Sequence, residues 1–449
     1  MKLTVPLLLL VLLAAAGLSR ARVKTSLLDL TNSFGSILSR LSRPANHSRI
    51  FYAVMFDAGS TGTRIHVYTF IQSDSAFPLS SQPLHRSPQG DIEELPILDN
   101  EMFHSIKPGL SAYADSPEMA GHTVRMLLKV AKRTVPRLEW KRTPLVLRAT
   151  AGLRLLAADK ARVLLEQVQH VFDESPFLVP DNSISIMNGT YEGILAWISV
   201  NYLTGHLNAQ TKKTVGILDL GGGSTQITFL PKLRKTIESV PVADYVARFD
   251  ISNTSFELYT YSYLGHGLMA ARLATLGALG AEGLEGRVFK SSCLPKKFRD
   301  EWSFGGLTYQ VSGDRDGYAA YKRCYQEVLT VVKGIIHQPY QLEDSNVFYA
   351  FSYYFDRAVD AGLIDGVQGG MLEVRDFKKR AKEVCNKMTK YPSSSPFLCM
   401  DMTYITCLLK DGFGFKESTV LQLTKKVNNV EASWALGATL DHFHNLKIH

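Results

Sequence analysis

Cysteine is scarce in this sequence, and long hydrophobic runs are confined to its beginning. The five cysteines of the 449-residue chain include no Cys-x-x-Cys pair, which argues against a zinc site built from paired thiolates. Beyond the N-terminus, no apolar run reaches the roughly 20 residues that span a bilayer. Low-complexity segments are also missing. A hydrophobic content of 45% with 20% charged residues is typical of a globular chain that is long enough for two domains.

A nucleic-acid partner is not indicated, although the formal net charge is +8. The basic excess is concentrated in residues 17–50, where Asp29 is the only acidic residue. The cations of this segment are Arg20, Arg22, Lys24, Arg40, Arg43 and Arg49. No basic stripe with interleaved aromatic residues follows. A basic N-terminal tail therefore explains the charge, and we expect no binding of nucleic acid.

The N-terminus has the pattern of a secretory signal. Lys2 precedes an apolar stretch, Val5 to Leu18, which contains small residues and is too short to span a membrane. The pattern predicts a cleaved signal peptide at residues 1–19 and a mobile basic tail at residues 20–49, with an uncleaved membrane anchor as the alternative. We therefore expect a protein that is secreted or resides in the lumen of the endoplasmic reticulum, without a membrane span after cleavage.

The secretory route gives meaning to three sequons. Asn46 begins Asn-His-Ser, Asn188 begins Asn-Gly-Thr and Asn253 begins Asn-Thr-Ser, and such sites accept N-glycans only in the secretory pathway. Asn46 and Asn253 are the candidate glycosylation sites.

The same oxidising compartment favours disulfides between the cysteines. Their order and local spacing allow two short loops, so we predict the pairs Cys293–Cys324 and Cys385–Cys399. The odd count leaves Cys407, which lies in an apolar segment typical of a buried helix. We predict that its thiol is free and inert.

Two glycine-rich turns of the same design occur in the two halves of the chain. In the first, a β-type run ends at Asp57 and continues through Gly59-Ser60-Thr61-Gly62 into a second β-type run. In the second, Asp219 is followed by Gly221-Gly222-Gly223-Ser224, again between two β-type runs. Glycine lets main-chain N–H groups converge on an anion, and the hydroxyl groups add donors. A leading aspartate can hold a hard cation that neutralises phosphate.

Either turn alone also fits an ordinary glycine-rich hairpin, but two such turns can clamp one phosphate chain between two domains. With the alternation of strands and helices, they predict an α/β fold of two similar domains that face a cleft. The predicted N-terminal domain comprises residues 50–187 and 427–449, and the predicted C-terminal domain residues 188–426. Next to the second turn, Ser224 and Gln226 are suited to orient a water molecule; hydrogen bonding at a strand edge is the alternative.

A third segment, Ser185–Trp197, passes from a strand through a turn into a helix. Glu192 falls in the first turn of that helix, where an acidic residue often does no more than interact with the helix dipole. Beside a phosphate cleft, the same carboxylate would act as a general base that takes a proton from an attacking water. Both interpretations stay open at this point.

Five segments in order resemble the apyrase-conserved regions of the nucleoside triphosphate diphosphohydrolases, or apyrases. They are Asp57–Arg64, Ala149–Arg154, Met187–Gly205, Asp219–Gln226 and Ser433–Ala438. The resemblance extends from about residue 50 to the end of the chain. The segment Lys107–Ala112 is similar to the soluble lumenal branch of that family, and this chain lacks the two membrane spans and additional cysteines of the cell-surface branch.

The resemblance implies an actin-like, hexokinase-like (ribonuclease H-like) fold, dependence on Ca²⁺ or Mg²⁺, and direct attack of water on the terminal phosphate. It implies hydrolysis of nucleoside diphosphates, with UDP and GDP preferred, in support of glycoprotein glycosylation and folding. In this family pattern, the metal would be held through water by Asp57 and Asp219, and Glu192 would be the general base. Ser224 and Gln226 would position the attacking water, and Thr150 would lie near the metal and that water. The phosphates would be lined by Ser60, Thr61, Gly62, Gly222 and Gly223.

Recognition of the base is the least specific of these expectations. Aromatic residues between Phe348 and Phe355, and at Tyr404, correspond to regions where the family stacks the base, and Tyr353 and Tyr404 are the candidates. Packing in an apolar core is the alternative for both. Stacking by itself does not select uracil over guanine.

Other proteins with two aspartate-led phosphate turns are sugar kinases and Hsp70-like chaperone ATPases. The turn Thr190-Tyr191-Glu192 and the presence of Gln226 argue against both classes. A non-catalytic or chaperone-like nucleotide-binding protein of the lumen is the remaining alternative, and it would bind nucleotide without releasing phosphate. We expect a monomer.

Overall fold

The computed structural model describes residues 48–73, 95–207, 213–251, 254–280, 286–314, 320–342, 347–388 and 395–444. The predicted signal peptide, the predicted tail up to residue 47, and the sequon residues Asn46 and Asn253 lie outside these ranges. Both large sheets fall in one compact unit, which comprises residues 50–71 and 84–449. Within the described ranges, no helix is long and apolar enough to cross a membrane.

The described strands form four sheets. Their bounds are β1 Ser48–Ala58, β2 Thr63–Ser73, β3 Ile97–Ile106, β4 Leu145–Ala149, β5 Ile184–Ile186, β6 Gly216–Leu220, β7 Ser224–Phe229, β8 Val246–Ile251, β9 Thr254–Leu264, β10 Val288–Ser291, β11 Arg299–Phe304, β12 Leu307–Gly313, β13 Phe348–Ser352, β14 Gly370–Glu373, β15 Val420–Leu423, β16 Lys426–Val427 and β17 Val430–Glu431.

The α-helices of the described residues alternate with these strands. Their bounds are α1 Pro117–Thr134, α2 Ala151–Arg154, α3 Ala158–Asp173, α4 Gly189–Leu203, α5 Arg234–Glu238, α6 Leu268–Thr275, α7 Ala320–Val332, α8 Tyr353–Asp360, α9 Val374–Lys387, α10 Leu398–Cys407 and α11 Ala435–His444. Short 3₁₀ turns occur at Leu110–Tyr113, Arg137–Arg142 and Ala243–Tyr245, and α10 continues into a π-helical turn at Leu408–Phe413.

The two large sheets share one strand arrangement. The first has the order β3-β2-β1-β4-β5, and the second contains the order β9-β7-β6-β13-β15 within its seven strands. In both sheets, the strand that carries the aspartate is followed directly by its glycine turn and pairs in parallel with the next strand on its other side, β1 with β4 and β6 with β13. The repeated sequence pattern thus corresponds to a repeated topology, as predicted.

The sequence of strand β1 is apolar at consecutive positions instead of alternating between apolar and polar residues. Val54 and Phe56 pack into the cluster formed with α1 and α3, whereas Ala53 and Met55 pack into the cluster on the opposite face of the sheet. Because both faces of the strand are covered, every residue in this stretch must be apolar.

Helix α4 fills the space between the two sheets. Its buried residues belong to a cluster that also contains side chains of β1 and β2 from the first sheet and of β8 and β9 from the second. Helix α11 packs directly on α4, because a Cβ atom at Gly437 would lie 2.1 Å from the carbonyl oxygen of Leu195. A helix surrounded in this way needs side chains that are apolar or hydrogen-bonded beyond the first turn, and its buried polar residues Ser199 and Asn201 donate to backbone carbonyls of the same helix. The first turn, with Glu192, is the part that opens toward the cleft.

The predicted α/β class, with two similar β-sheet units that face a cleft, is confirmed. The strand–turn–strand interpretation holds for both glycine turns, and the strand–turn–helix interpretation holds for Ser185–Trp197. The boundaries of the two predicted domains, at residues 187 and 427, stay predictions.

Both predicted disulfides are present. Cys293 is bonded to Cys324 of α7, and Cys385 of α9 is bonded to Cys399 of α10. Cys407, at the end of α10, is a free, buried cysteine. Burial raises the pKa of its thiol well above the ordinary value, which keeps the sulfur protonated and unreactive.

We expect non-reducing peptide mapping to recover only the pairs Cys293–Cys324 and Cys385–Cys399. A thiol reagent should modify Cys407 in denaturant and leave it unmodified in the native protein, because its sulfur has no access to solvent. Mass spectrometry of the labelled peptides gives the measurement. Recovery of a peptide that links Cys407 to any other cysteine would contradict the assignment.

Candidate active site

The two glycine turns meet at the centre of a cleft. A Cβ atom at Gly222 would lie 2.5 Å from Ser60 Oγ and 2.6 Å from Thr61 Cγ2, so the turn of the second sheet touches the turn of the first. The cleft has a volume of about 490 Å³, which is within the usual range for a small-molecule site. Residues of both turns line it, including Gly62 and Gly223.

The second turn is held from behind by residues 265–270. Its three carbonyl oxygens accept hydrogen bonds from backbone N–H groups of this segment: Gly221 from Leu268 at 2.8 Å, Gly222 from Met269 and Ala270 at 3.0 Å each, and Gly223 from Gly265 at 2.8 Å. Since these carbonyls are occupied on that side, an anion in the cleft would meet the amide groups of the turn. The residues that hold the turn belong to none of the segments that sequence analysis selected.

Two aspartates face each other across the cleft. Asp57 accepts a hydrogen bond from Arg64 Nη1 on its Oδ2 at 2.6 Å, whereas its Oδ1 is buried without a partner. Asp219 Oδ1 is likewise buried and unpaired. Burial raises the pKa of Asp219 to about 6; a hydrogen bond from Ser352 and the charge of Arg64 oppose this shift, and Asp57 adds to it. The cleft therefore contains two carboxylate oxygens in need of a cation or a donor.

Glu192, in the first turn of α4, lines the same cleft as the two aspartates. The helix begins after Asn188, whose side chain accepts a hydrogen bond from the Thr190 amide at 2.8 Å. The Glu192 carboxylate is 7% exposed and forms an ion pair with Arg154. Burial raises its pKa to about 8; Arg154 opposes the shift, and Asp219 and Asp57 add to it. A carboxylate of this kind has a high affinity for a proton, as a general base requires.

Ser224 and Gln226 form a hydrogen-bonded pair beside Glu192. Gln226 Nε2 donates to Ser224 Oγ and to Ser262 Oγ, both at 2.8 Å. Ser224 lines the cleft and Gln226 lies behind it, almost fully buried, with an unpaired Oε1. Ser262, on β9, was missed by sequence analysis because no local pattern marks it.

Thr150 closes the floor of the cleft next to the first turn. It follows β4 directly, and its amide donates to the carbonyl of Ala58 at 3.2 Å. A Cβ atom at Gly152 would lie 2.7 Å from Ser60 Cα, so this segment needs glycine to approach the turn. The structure thus brings all predicted metal, base, water and phosphate residues to one place.

Of the two aromatic candidates, Tyr353 lines the cleft and Tyr404 does not. Tyr353, the first residue of α8, lines the cleft and is half-buried. Tyr404 does not line the cleft: it is 1% exposed within the core, and its hydroxyl donates to the carbonyl of His266 at 2.5 Å. In this structure Tyr404 therefore supports the segment behind the second turn, and its ring is not available for stacking.

Besides the ring of Tyr353, the cleft has a second flat surface, which is formed by residues that no sequence pattern marked. Arg272 and Phe397 both line the cleft, and the guanidinium carbon of Arg272 lies 4.4 Å from the centre of the Phe397 ring. Asp401, fully buried, accepts two hydrogen bonds from Arg272, at 2.7 and 2.5 Å. This bidentate pair holds the guanidinium plane rigidly.

Clusters that could bind a metal through side chains alone are rare in the described part of the chain. The only such group of three is formed by the sulfur atoms of Cys324, Cys385 and Cys399, and all three are in disulfides. Asp57, Asp219 and Glu192 do not form a cluster of this tightness. A cation between them would need water and phosphate oxygens to complete its coordination.

Comparison with known proteins agrees with this geometry. A model of the GDA1/CD39 (nucleoside phosphatase) family matches residues 44–449. Ectonucleoside triphosphate diphosphohydrolase 5 of Gallus gallus is 57% identical over 401 residues, with 89% of each chain covered. The human protein called nucleoside diphosphate phosphatase ENTPD5 is 55% identical over 397 residues, with 88% of each chain covered. Human ectonucleoside triphosphate diphosphohydrolase 6 is 47% identical, over 91% of this chain and 80% of its own.

Among solved structures, that of nucleoside triphosphate hydrolases from Neospora caninum aligns with a TM-score of 0.61 at 13% identity, over 92% of this chain and 96% of that chain. At this identity the likeness concerns the fold, and it supports the predicted actin-like class. The sequence matches confirm the predicted resemblance to the apyrases.

We expect Gly267→Ala to destabilise the protein by about 1–3 kcal/mol, the usual range for overpacking. A Cβ atom at Gly267 would lie 2.4 Å from the Gly222 carbonyl carbon and 2.5 Å from the Gly223 nitrogen, and backbone of the turn cannot move aside as a side chain would. Gly366→Ala is the matched control, because its Cβ would meet only Val359 Cγ1, at 3.4 Å. Denaturant unfolding of both variants measures the difference; equal stability would contradict the described contact.

Proposed function

Because the chain belongs to the GDA1/CD39 nucleoside phosphatase family, we propose that it hydrolyses nucleoside diphosphates to nucleoside monophosphates and inorganic phosphate. The observation that carries this proposal is the meeting of two glycine turns, each led by an aspartate, beside a buried glutamate. The name of the human relative, a nucleoside diphosphate phosphatase at 55% identity, supports the choice of diphosphates. UDP and GDP are the preferred substrates in this proposal.

The cofactor is a divalent cation, Ca²⁺ or Mg²⁺. The unpaired Oδ1 atoms of Asp57 and Asp219 are hard oxygen donors that suit either ion. Among the described residues that line the cleft there is no cysteine or histidine that would favour zinc. When bound, the cation neutralises phosphate charge and holds the terminal phosphate in place. Asp57 and Asp219 are the residues that would hold it, through water molecules.

The phosphates bind along the two turns. The hydroxyl groups of Ser60 and Thr61 and the amide groups at Gly62, Gly222 and Gly223 are the donors on the two sides of the cleft. Hydrogen bonds from rigid amides gain strength as negative charge builds up on the phosphoryl oxygens in the transition state. These donors therefore contribute both to phosphate binding and to the rate of hydrolysis.

Glu192 is the general base. Its carboxylate accepts a proton from a water molecule whose oxygen attacks the terminal phosphorus, and the bond from that phosphorus to the bridging oxygen breaks. The nucleoside monophosphate leaves with the electron pair of that bond, and no phosphoenzyme forms. Ser224 and Gln226 orient the attacking water, and Thr150 lies next to it and to the cation. Arg154 keeps Glu192 in position.

The base lies between flat groups at the open end of the cleft. Tyr353 supplies one surface, and the guanidinium of Arg272 on Phe397 supplies another. Stacking on such surfaces tolerates every base because each base has a π-face, so selectivity for UDP and GDP needs further polar contacts at the base edge.

The location is the endoplasmic-reticulum lumen or the extracellular space, and the protein acts as a monomer. Two disulfides support an oxidising compartment. In the lumen, removal of UDP and GDP left by glycosyltransferases would support glycoprotein glycosylation and folding.

A phosphate-release assay tests the function and its cofactor together. We expect release from UDP and GDP with Ca²⁺ or Mg²⁺, less from ADP and ATP, and none in EDTA. Asp57→Ala and Asp219→Ala should each lower turnover by at least about a hundredfold, since each removes a carboxylate that would hold the charge-neutralising cation through water. Nucleotide binding without phosphate release by the wild type would favour the non-catalytic alternative, and full activity of either variant in EDTA would refute the metal role.

Glu192→Gln keeps the size of the side chain and removes its ability to accept a proton. General-base assistance contributes on the order of 10²- to 10⁴-fold, so kcat with UDP should fall by at least about a hundredfold, while the affinity measured by titration calorimetry changes little. Glu166→Gln, on the exposed face of α3, is the control with wild-type kcat. A Glu192→Gln enzyme that also turned over at the wild-type rate would show that Glu192 acts only on the helix dipole.

A further inference from the structure

Ser262 lies on β9, directly across the sheet from Gln226 of β7. The two strands are antiparallel, and Gln226 and Ser262 are partners in their register. The pair is joined by side chains as well, because Gln226 Nε2 donates to Ser262 Oγ at 2.8 Å. None of the sequence segments that predicted the site contains Ser262, so its contact with a predicted water-orienting residue comes from the fold alone.

The start of helix α4 rests on this pair. A Cβ atom at Gly189, the first residue of the helix, would lie 2.6 Å from Ser262 Cβ and would also collide with Arg154 Nη1. Glycine is therefore needed for the helix to approach the strand so closely. The same turn of helix carries Glu192, so Ser262 lies where the helix of the proposed base meets the strands of the water-orienting pair.

The hydrogen bonds of Gln226 occupy both protons of its amide group. Nε2 donates to Ser224 Oγ and to Ser262 Oγ, each at 2.8 Å, and a carboxamide has two such protons. Gln226 is 1% exposed, so water cannot replace either acceptor. Two acceptors in different directions fix the rotation of the carboxamide, and its Oε1 points away from both of them, without a partner.

The direction of these bonds determines what Ser224 offers to the cleft. Its oxygen accepts from Gln226 and, at 3.5 Å, from Arg154 Nη2. The hydroxyl proton of Ser224 is therefore the part that remains to donate into the cleft, which Ser224 lines. A carboxamide turned by half a rotation would present Oε1 instead, and Ser224 would then donate its proton to Gln226.

We propose that Ser262 is a positioning residue that holds the Gln226 carboxamide in one orientation, so that the Ser224 hydroxyl donates to the attacking water. A water molecule that accepts from Ser224 and donates to Glu192 has one lone pair left, and this lone pair attacks the phosphorus. The inference rests on the proposed function, which assigns Ser224 and Gln226 to that water. It adds the residue that gives the pair its direction.

Kinetics of Ser262→Ala test the role in turnover. The substitution leaves one buried amide proton of Gln226 without an acceptor, and we expect kcat with UDP to fall about tenfold, the scale of such a loss. KM should change little, because the phosphate-binding turns are untouched. Ser262→Cys, which keeps nearly the same shape and offers only a weak acceptor, should show a loss in the same direction and serves if the alanine variant folds poorly.

A double-mutant cycle shows whether Ser262 acts through Gln226. In a Gln226→Ala background, Ser262→Ala should lower kcat no further, because residues that act as one unit are not additive. A residue that only stabilised the sheet would cause the same fractional loss in both backgrounds.

Thr260→Val is the matched control. Thr260 lies on the same strand and the same face as Ser262, one pair further from the cleft, and its hydroxyl lies 2.7 Å from that of its cross-strand partner Thr228. Helix α4 covers this pair too, since a Cβ atom at Gly193 would lie 2.6 Å from Thr228 Oγ1. The variant removes an equivalent hydrogen bond and should keep the wild-type kcat.

A second measurement does not depend on turnover. NMR of protein with isotope-labelled glutamine reports the side-chain amide of Gln226, whose signal is identified by its loss in Gln226→Ala. In the wild type its protons should exchange slowly with deuterium oxide, because both are buried and hydrogen-bonded. Exchange should be faster in Ser262→Ala and unchanged in Thr260→Val.

Each result bears on the proposal. A wild-type kcat in Ser262→Ala, an equal loss in Thr260→Val, or an equal further loss in the Gln226→Ala background would overturn it. Unchanged amide exchange in Ser262→Ala would overturn it as well, because Ser262 would then not hold the carboxamide. If the wild type releases no phosphate while the exchange of Gln226 depends on Ser262, the proposed function fails and the positioning of Gln226 by Ser262 is upheld.

Discussion

Loops 59–62 and 221–223 approach each other so closely that Gly222 leaves no room for a Cβ atom against Ser60. This contact between turns from two different sheets lies at the centre of the cleft, whose lining includes residues of both turns. The contact depends in turn on the spacing of the sheets, which α4 and α11 maintain. These two helices pack closely where Gly437 meets Leu195. The distance between the sheets is therefore set by packing in the core and not by the loops.

The electrostatic consequence is a site that concentrates negative charge out of water. Asp57, Asp219 and Glu192 are all nearly buried, and mutual repulsion adds to the burial that raises the pKa of Glu192 and Asp219. Two arginines, Arg64 and Arg154, offset part of this cost but leave carboxylate oxygens unpaired. Unpaired buried oxygens are unfavourable in the free protein, and this is the free energy that a bound cation can recover.

Residues that do not line the cleft hold several of the groups that do. Segment 265–270 holds the carbonyls of the second turn, and Tyr404 holds that segment through the carbonyl of His266. Asp401 plays the same part for Arg272. Both Tyr404 and Asp401 lie on α10, which is joined to α9 by the disulfide Cys385–Cys399. The disulfide-linked helices therefore act on the site indirectly, by fixing the position of Arg272 and of the residues that hold the second turn.

Sequence alone determined the features that local chemistry encodes. A glycine turn needs its glycines next to one another in the chain, and the aspartate that leads the turn must be close to them as well. The repeated turns therefore predicted the repeated topology, and the same local patterns selected Asp57 and Asp219 as candidates. The local pattern left the role of Glu192 open, and only the resemblance to the apyrases assigned it a role. The disulfide pairs followed from order and spacing in the same way.

Tertiary structure alone decided the contacts between residues that are far apart in the chain. Nothing near Arg272 in sequence indicates that Asp401 will hold it or that Phe397 will lie under it, and nothing near Tyr404 distinguishes a stacking ring from a core ring. Ser262 was missed for the same reason: a serine acquires a role only from the groups that the fold brings to its hydroxyl, here the side chain of Gln226. Side-chain orientation at such positions depends on packing across sheets and helices, and packing is not a property of any short segment.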